Sequence, residues 1–163
     1  MLESDLTAVA ELHARTFPRQ RLSREWIECN WRAFPRMQYF VAEELGQVLG
    51  FIHWTQKSGF RDEVVLELEQ IGVDPEHQGR GIGERLIRES LPEVGEQLST
   101  RGARLKHVLV TTRADNQAQR LYGRVLGAEV EVTLTNLYSA DEVVMIARTP
   151  LRPLRMGLSP RRA

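Results

Sequence analysis

A glycine-rich turn lies near the middle of the chain, between an apolar strand-like segment and the start of an amphipathic helix. From residue 71 to residue 83 it reads Ile-Gly-Val-Asp-Pro-Glu-His-Gln-Gly-Arg-Gly-Ile-Gly. A helix that follows such a turn presents unpaired backbone N–H groups at its N-terminus, where the helix dipole also favours an anion. Gly79, Gly81 and Gly83 let the backbone approach phosphate groups, and Arg80 adds a positive charge beside them. The turn is therefore predicted to bind phosphate.

Two other phosphate-binding motifs fit this spacing poorly. A Walker loop needs Gly-Lys-Ser or Gly-Lys-Thr, which the sequence lacks. A dinucleotide-binding fingerprint needs G-x-G-x-x-G, whereas the glycines here are spaced G-x-G-x-G and two predicted strands precede the strand that leads into them. A glycine-rich helix start that binds nothing remains the structural alternative.

Two glutamates lie in the strand that leads into the turn. With the two-residue period of a strand, Glu67 and Glu69 are predicted to share one face with Ile71 and Val73. An alkyl amine, with a pKa of about 10.4, is protonated at neutral pH and must lose a proton before it attacks an acyl group. Either carboxylate is a candidate base for that proton. The alternative is that one or both solvate a sheet edge or bind a cationic substrate.

Hydrophobic periodicity predicts ten elements in the order α α β β β α β α β β. Ser4 or Asp5 is expected to cap the first helix. Ser23 is expected to cap the second helix and Pro35 to stop it, and Pro92 to kink or divide the third. The pattern predicts one layered α/β domain, with a mixed sheet and helices on both faces. The predicted helices are 2–17, 23–34, 82–98 and 115–126, and the predicted strands are 39–44, 48–56, 64–73, 106–113, 129–136 and 142–147.

The composition, with 42% hydrophobic and 27% charged residues among 163, is that of an ordinary globular domain. Because Cys29 is the single cysteine, an intrachain disulfide and a thiolate metal cluster are excluded; we expect Cys29 to be packed or half-buried, and His13 to face the core or an interface. Five arginines follow the last acidic residue, Glu142, so acids outnumber bases before it. This argues against nucleic-acid binding and is compatible with a cationic amine substrate. Residues 149–163 are expected to form a flexible basic tail.

Neither a membrane segment nor a secretory signal is predicted. No apolar run approaches the roughly 20 residues that span a bilayer. Residues 1–9 include Glu3 and Asp5 and lack the basic start and continuous apolar stretch of a signal peptide. We therefore expect a cytoplasmic protein with no membrane partner.

The turn and its flanks are similar to a known family signature. The pattern V-x-P-x-x-Q-x-x-G-x-G, from residue 73 to residue 83, resembles the acetyl-CoA signature of the GNAT N-acetyltransferases, and the order of elements agrees with that family over residues 2–148. The resemblance implies the GNAT acyl-CoA N-acyltransferase fold. In that fold a central twisted mixed sheet is flanked by helices, and strands 64–73 and 106–113 splay apart in a V to leave a slot for the thioester. It also implies acetyl-CoA as co-substrate, without a metal.

The resemblance assigns roles along the strand and the turn. Backbone amides of the turn hold the coenzyme A pyrophosphate, and the backbone of the strand end pairs with pantetheine like an added strand. A backbone N–H of this strand end also serves as donor to the tetrahedral oxyanion. Glu67 stands where some family members have their base. The cofactor-binding residues implied in this way are Ile71, Gly72, Val73, Gln78, Gly79, Arg80, Gly81, Ile82 and Gly83.

A second family motif, the helix Asn-x-x-Ala-x-x-Leu-Tyr-x-x-x-Gly-Phe, resembles residues 115–128. Counting from Asn116 puts Gly123 at the tyrosine position. Counting from Ala118 puts Tyr122 there and keeps an apolar helical stripe, so the second count is preferred. Tyr122 is then the candidate acid that protonates or hydrogen-bonds the departing thiolate, unless it only packs. Asn116 is kept as a candidate cofactor ligand.

The function that follows is transfer of an acetyl group from acetyl-CoA to a primary amine, by direct attack in a ternary complex. The amine belongs to a small molecule or a peptide. Another acyl-CoA donor and a non-catalytic acyl-CoA sensor are the alternatives. The domain is expected to span 1–148, and homodimerisation is compatible with the family. The short strand that precedes the first helix in the family is expected to be missing or very short here.

Overall fold

The computed structural model of the protein describes residues 1–148, and the predicted basic tail, 149–163, lies outside the described residues. Two 3₁₀ turns, Glu3–Asp5 and Pro75–His77, precede the first and third helices. The helices are α1 (Leu6–Thr16), α2 (Ser23–Trp31), α3 (Ile82–Thr100) and α4 (Gln119–Leu126). The strands are β1 (Met37–Glu44), β2 (Gln47–Gln56), β3 (Glu63–Val73), β4 (Arg104–Arg113), β5 (Glu129–Leu134) and β6 (Glu142–Arg148).

The strands form one six-stranded sheet in the order β1-β2-β3-β4-β6-β5. β3 and β4 are parallel, and the other neighbours are antiparallel. The predicted element order and the mixed sheet are confirmed. No strand precedes α1 in the described part of the chain; instead, the N-terminal amine lies 3.4 Å from the backbone oxygen of Tyr39, in edge strand β1.

Helices cover both faces of the sheet. α3 and α4 pack on one face around Trp54, whose fully buried indole donates from Nε1 to Ser90 Oγ at 2.8 Å. α1 and α2 pack on the other face around Leu12 and Phe51, both fully buried. Burying one such apolar side chain contributes about 1.5–3 kcal/mol. The two cores hold β3 between them.

Ser23 does not cap its helix as predicted, and Pro92 does not divide α3. Ser23 is the first residue of α2 rather than its cap, because the residue before it, Leu22, takes a left-handed conformation with φ 56°. The Ser23 hydroxyl contacts the ring nitrogen Nδ1 of His13 instead. α3 continues through Pro92 as one helix, because buried residues on both sides of the proline, Leu91 and Val94, anchor it to the sheet.

The two side chains expected to be packed differ in burial. His13 is fully buried on α1, as predicted. Cys29 is exposed, so its predicted packing was wrong: α2 turns Ile27 and Asn30 inwards and Cys29 towards solvent. None of the helices within residues 1–148 combines the length and apolarity needed to cross a bilayer.

Candidate active site

β3 and β4 are hydrogen-bonded over part of their length only. Their parallel pairing runs from Glu63 opposite Arg104 to Glu67 opposite Leu109. Beyond this seam the strands diverge, which confirms the predicted splay, and they leave a cleft of about 280 Å³. The cleft is lined by Thr16, Phe17, Leu68, Glu69, Gln70, Ile71, Gly72, Val73, Gln78, Val110, Thr111, Thr112, Asn116, Ala118 and Tyr122.

A larger cavity, of about 330 Å³, lies at the opposite end of β3. It is formed where β2 leads into β3, beside the C-terminal end of α3, and Phe60 and Arg101 form part of its wall. Because neither the glycine-rich turn nor either candidate carboxylate lines this cavity, the cleft is the site that matches the sequence motifs.

The glycine-rich turn ends at the start of α3. Gly79 and Gly81 have φ angles of +76° and +79°, the left-handed region that only glycine adopts readily. The first i→i−4 hydrogen bond of the helix is donated by Arg85 N to Gly81 O at 3.0 Å. The N–H groups of Ile82 and Gly83 come before it and have no acceptor within the helix. A Cβ on Gly79 or Gly81 would meet nothing within 4 Å, so no neighbouring group obstructs the approach of a phosphate to the backbone there.

Two side chains of the turn form polar contacts with other residues of the protein. Arg80, predicted to lie beside the phosphates, forms an ion pair with Glu44 at the end of β1, at 3.2 Å and with both side chains about half exposed. Gln78 donates from Nε2 to the backbone oxygen of Val73 at 3.2 Å and ties the turn to the strand. The turn therefore offers an anion mainly backbone N–H groups.

Gly72 is required by packing. A Cβ on Gly72 would lie 2.7 Å from Cε1 of Phe51 and 2.9 Å from Oγ1 of Thr16. Phe51 is fully buried, so its ring has no room to move away. Gly83 is less restricted, because a Cβ there would meet Leu121 Cδ2 at an ordinary contact distance of 3.4 Å. The missing side chain at 72 thus brings α1 close to β3.

We expect Gly72→Ala to lower the free energy of unfolding by about 2 kcal/mol, because the added methyl group overpacks a rigid core. Gly95→Ala is the matched control, since a Cβ at this position in α3 meets nothing within 4 Å. It should raise stability by about 0.5–1 kcal/mol. Urea unfolding followed by circular dichroism measures both variants. Equal effects of the two substitutions would show that Gly72 is not constrained by Phe51.

Strand β3 contains a bulge that changes which residues share a face. His53 of β2 pairs with Gln70 and Trp54 pairs with Leu68, so no residue of β2 lies opposite Glu69 in the strand register. A bulge of this kind inserts one residue and shifts the alternation of side chains. Ile71 therefore packs towards α3 and α4, whereas Gln70 bonds to α1. The prediction that the two glutamates share one face with Ile71 and Val73 was wrong for this reason.

Glu67 is held in a polar contact network. Its Oε2 lies 2.7 Å from Lys57 Nζ, and its Oε1 accepts a hydrogen bond from Thr111 Oγ1 at 2.9 Å. The hydrogen bond to Glu67 raises the pKa of Lys57 above its ordinary value. Glu67 is thus a paired carboxylate with a side chain that is only 13% exposed. Lys57 and Thr111 were not identified from the sequence, because only the strand register brings them to Glu67.

Glu69 differs from Glu67 in having no bonding partner. Within residues 1–148 its carboxylate makes no hydrogen bond or ion pair, and the residue lines the cleft. Burial, and then the negative charge of Glu67, raise the pKa of Glu69 above its ordinary value. A carboxylate with a raised pKa and free oxygens in a cleft is suited to accept a proton.

Tyr122 lies on α4 and lines the same cleft. It is 5% exposed, and burial raises the pKa of Tyr122 to about 12. The phenol therefore keeps its proton at neutral pH. No residue in the range 1–148 supplies a hydrogen-bond partner to its hydroxyl. Tyr122 packs on the helix stripe, as one reading of the sequence held, and it also presents a proton donor at the cleft.

Asn116 borders the cleft but uses its polar atoms locally. Its Nδ2 donates to Thr112 Oγ1 at 2.8 Å, and its Oδ1 accepts a hydrogen bond from Ala118 N at 2.9 Å. The second contact closes an Asx turn, which competes with helix formation. α4 consequently begins at Gln119, four residues later than predicted. The local contacts give Asn116 a role in shaping the loop between β4 and α4.

A parallel strand pair that splays beside a glycine-rich helix start is the arrangement of the acyl-CoA N-acyltransferase fold. The chain belongs to the acetyltransferase (GNAT) family, whose profile matches residues 6–128. An aminoglycoside 6′-N-acetyltransferase, solved in complex with coenzyme A, has the same fold, with a TM-score of 0.73 and 18% identity over 93% of this chain and 94% of that one.

Two curated relatives are similar in sequence. The mycothiol acetyltransferase of Amycolatopsis mediterranei is 35% identical over 125 residues, which cover 70% of this chain and 39% of the relative. The N-alpha-acetyltransferase RimI of Mycobacterium tuberculosis is 32% identical over 133 residues, 78% of this chain and 74% of that protein. The chain thus spans about two fifths of the length of the first relative and about three quarters of the second.

Proposed function

We propose that residues 1–148 form one domain that transfers an acetyl group from acetyl-CoA to a primary amine by direct attack. The observation that carries this proposal is that the cleft between β3 and β4 extends to Gln78, at the start of the glycine-rich turn, and is lined by a carboxylate without a partner among the described residues and by a protonated phenol. Two further findings support it: relatives named N-acetyltransferases, and the coenzyme A bound to a protein of the same fold.

The turn and the end of β3 form the part of the proposed site that binds the acyl donor. The N–H groups at the start of α3 have no acceptor within the helix, and the backbone of Gly79 and Gly81 beside them is unobstructed, which suits the pyrophosphate of coenzyme A, with the helix dipole adding favourable charge. Beyond Glu67, β3 has no partner strand on its β4 side. The free edge from Ile71 to Val73 is suited to hydrogen-bond the amides of pantetheine as an added strand would.

Glu69 is the proposed base. It takes the proton of the ammonium group, directly or through water, and leaves a neutral amine that attacks the thioester carbon. A backbone N–H of the β3 end donates to the developing oxyanion. The departing thiolate is hydrogen-bonded or protonated by Tyr122, whose phenol keeps its proton at neutral pH and lines the same cleft, and a phenolate formed in this way regains a proton from the ammonium nitrogen of the collapsing intermediate. Glu67 remains paired with Lys57 and supports the base electrostatically.

The acceptor is proposed to be a primary amine of a small molecule or of a peptide. Approach from the α1–α2 side is favoured, because Thr16 and Phe17 of α1 line the cleft together with Glu69. RimI of Mycobacterium tuberculosis is named as an N-alpha-acetyltransferase and the relative from Amycolatopsis mediterranei as a mycothiol acetyltransferase, so both acceptor types occur among the relatives.

The proposal is tested by calorimetric titration with acetyl-CoA, succinyl-CoA and free coenzyme A. We expect Gly81→Glu to weaken the binding of acetyl-CoA about thirtyfold, because a carboxylate at the start of α3 repels the pyrophosphate. Gly102→Glu is the matched control: Gly102 has a φ of +71°, has equally open surroundings and follows the far end of α3. Equal loss in both variants, or no binding by the wild type, would refute the phosphate site.

Tyr122→Phe is expected to lower kcat about tenfold and to leave the dissociation constant of acetyl-CoA unchanged. The phenyl ring keeps the packing of the helix stripe and removes only the proton donor. Initial rates of thiol release, measured with a disulfide reagent and the best amine found by screening, give kcat. An unchanged kcat would mean that Tyr122 only packs.

A further inference from the structure

A buried amide, Gln70, joins three segments of the α1–α2 layer to strand β3. Its Oε1 accepts a hydrogen bond from Trp26 Nε1 at 3.0 Å, and its Nε2 donates to Gln20 Oε1 at 2.9 Å. The same Nε2 lies 3.2 Å from Nε2 of His13. Gln70 is only 7% exposed and directly follows Glu69 in the chain. One side chain thus connects α1, the loop after α1, and α2 to the strand that carries the proposed base.

The chemistry of these groups fixes the position of the ring proton on His13. An indole N–H only donates, so the atom of Gln70 that meets Trp26 is its oxygen, and the amide nitrogen faces His13. That nitrogen only donates, so Nε2 of His13 accepts and the ring proton is on Nδ1. From there it is donated to Ser23 Oγ at 2.9 Å. Burial lowers the pKa of His13 below its ordinary value, as a neutral ring requires.

The position of Gln70 relative to the bulge gives this contact network its importance. Gln70 pairs with His53 directly after the unpaired Glu69, so it is the first residue at which the regular alternation of β3 resumes. If the bulge moved by one residue, the side chain of Gln70 would leave the α1–α2 face and Glu69 would leave the cleft. Trp26, which is 40% exposed, is held against the same residue.

We propose that Gln70, oriented by His13, is a positioning residue that fixes Glu69 in the cleft and sets the α1–α2 wall on the acceptor side. The inference rests on the proposed acetyltransferase function and deepens it. Gln70 acts through Glu69 and Trp26, and it takes no part in proton transfer. Its loss therefore affects the amine half of the reaction and leaves the binding of acetyl-CoA, at the turn and the strand edge, intact.

Steady-state kinetics with an alanyl tripeptide amide, spermidine and an aminoglycoside as probe amines test this role. For whichever probe the wild type acetylates, we expect Gln70→Leu to raise KM for the amine about tenfold and to lower kcat about tenfold. The dissociation constant of acetyl-CoA, from calorimetry, should stay within about twofold. His13→Leu should behave in the same way, whereas His13→Gln, whose amide oxygen can accept from Gln70, should restore most of the rate.

Ser90→Ala is the matched control for lost stability. It removes the other buried indole hydrogen bond, that of Trp54 on the α3 face, and should not change KM for the amine. Unchanged kinetics in Gln70→Leu, or equal changes in Ser90→Ala, would overturn the positioning role. NMR of the His13 ring nitrogens should show the proton on Nδ1 at pH 7, and a proton on Nε2 would also overturn it. A wild type that binds acetyl-CoA and acetylates no probe overturns the proposed function, and the positioning role with it.

Discussion

Replacing Glu69 by glutamine is expected to lower kcat at pH 7 by roughly 10³-fold, the largest change of any single side chain in the cleft. Glutamine has the same size and cannot accept the ammonium proton. Glu69 is the carboxylate that lines the cleft without a hydrogen bond or ion pair among the described residues, and its raised pKa favours proton acceptance. Initial rates at saturating acetyl-CoA give kcat for both proteins.

The pH dependence of the rate provides a second measurement on Glu69. A base must be deprotonated to act, so activity is lost as pH falls through its pKa. Because burial raises the pKa of Glu69, the fall of kcat on the acidic side of the pH–rate profile should occur at a pH above the ordinary pKa range of a glutamate. This fall should disappear in Glu69→Gln.

Glu67→Gln is the control that separates the two carboxylates. Its oxygens are already bonded to Lys57 and Thr111, so its loss should lower kcat by no more than about tenfold. A larger loss in Glu67→Gln than in Glu69→Gln would exchange the two roles and return the base to the position suggested by the family resemblance.

Acidification from pH 6.5 to pH 4.5 is expected to cost about 2.3 kcal/mol of stability through His53 alone. This ring is fully buried, and burial lowers the pKa of His53 to about 3 from an ordinary 6.5. Between these two values the unfolded chain binds one more proton than the folded chain at this residue. The contribution is complete above pH 6.5 and is lost as pH falls towards 3. His13, also with a lowered pKa, acts in the same direction.

Urea unfolding of the wild type and of His53→Gln at several pH values measures this contribution. The glutamine amide does not titrate and can keep the contact with Thr55 Oγ1, which lies 3.2 Å from His53 Nε2. The raised pKa of Glu69 opposes the trend in both proteins, so the difference between the two curves isolates His53. Between pH 6.5 and pH 3 the unfolding free energy of the variant should change with pH as if close to one proton fewer were bound on unfolding than in the wild type. Parallel curves would show that folding does not lower the pKa of His53.

Much of the fold could be predicted because its signals are local. Periodicity identified the ten elements, and the alternating glycines marked the turn. The left-handed φ angles at Gly79 and Gly81 strongly favour glycine over other residue types at these positions. The bulge at Glu69 could not be predicted, since one inserted residue in a strand leaves no mark in the alternation of a short sequence. The Asx turn at Asn116 could not be predicted either. There the side-chain oxygen of Asn116 accepts a hydrogen bond from Ala118 N, and this local contact competes with helix formation.

The site was predicted as a set of residue types more accurately than as an arrangement. Glu69 and Tyr122 both line the cleft. Arg80 was expected beside phosphate and pairs with Glu44, because an acidic residue from β1 lies within reach of the turn only after folding. Gln70 and His13 gave no catalytic signal, since a glutamine in a strand and a histidine on an apolar stripe have the appearance of ordinary core residues.

The short seam between β3 and β4 divides the sheet into two halves that are also consecutive in the chain. β1, β2 and β3 come from residues 37–73, and β4, β5 and β6 from residues 104–148. The first half is antiparallel and closes between near neighbours in sequence, from Glu44 opposite Gln47 to Gly50 opposite Val73. The second half and the seam close longer loops: β4 pairs with β6 across about 30 to 40 positions, and the seam joins residues about 40 positions apart, from Glu63 opposite Arg104 onwards. Because longer loops cost more entropy to close, we expect β1, β2 and β3 to pair first and the seam to close later. Assembly of the cleft would then be a late step of folding.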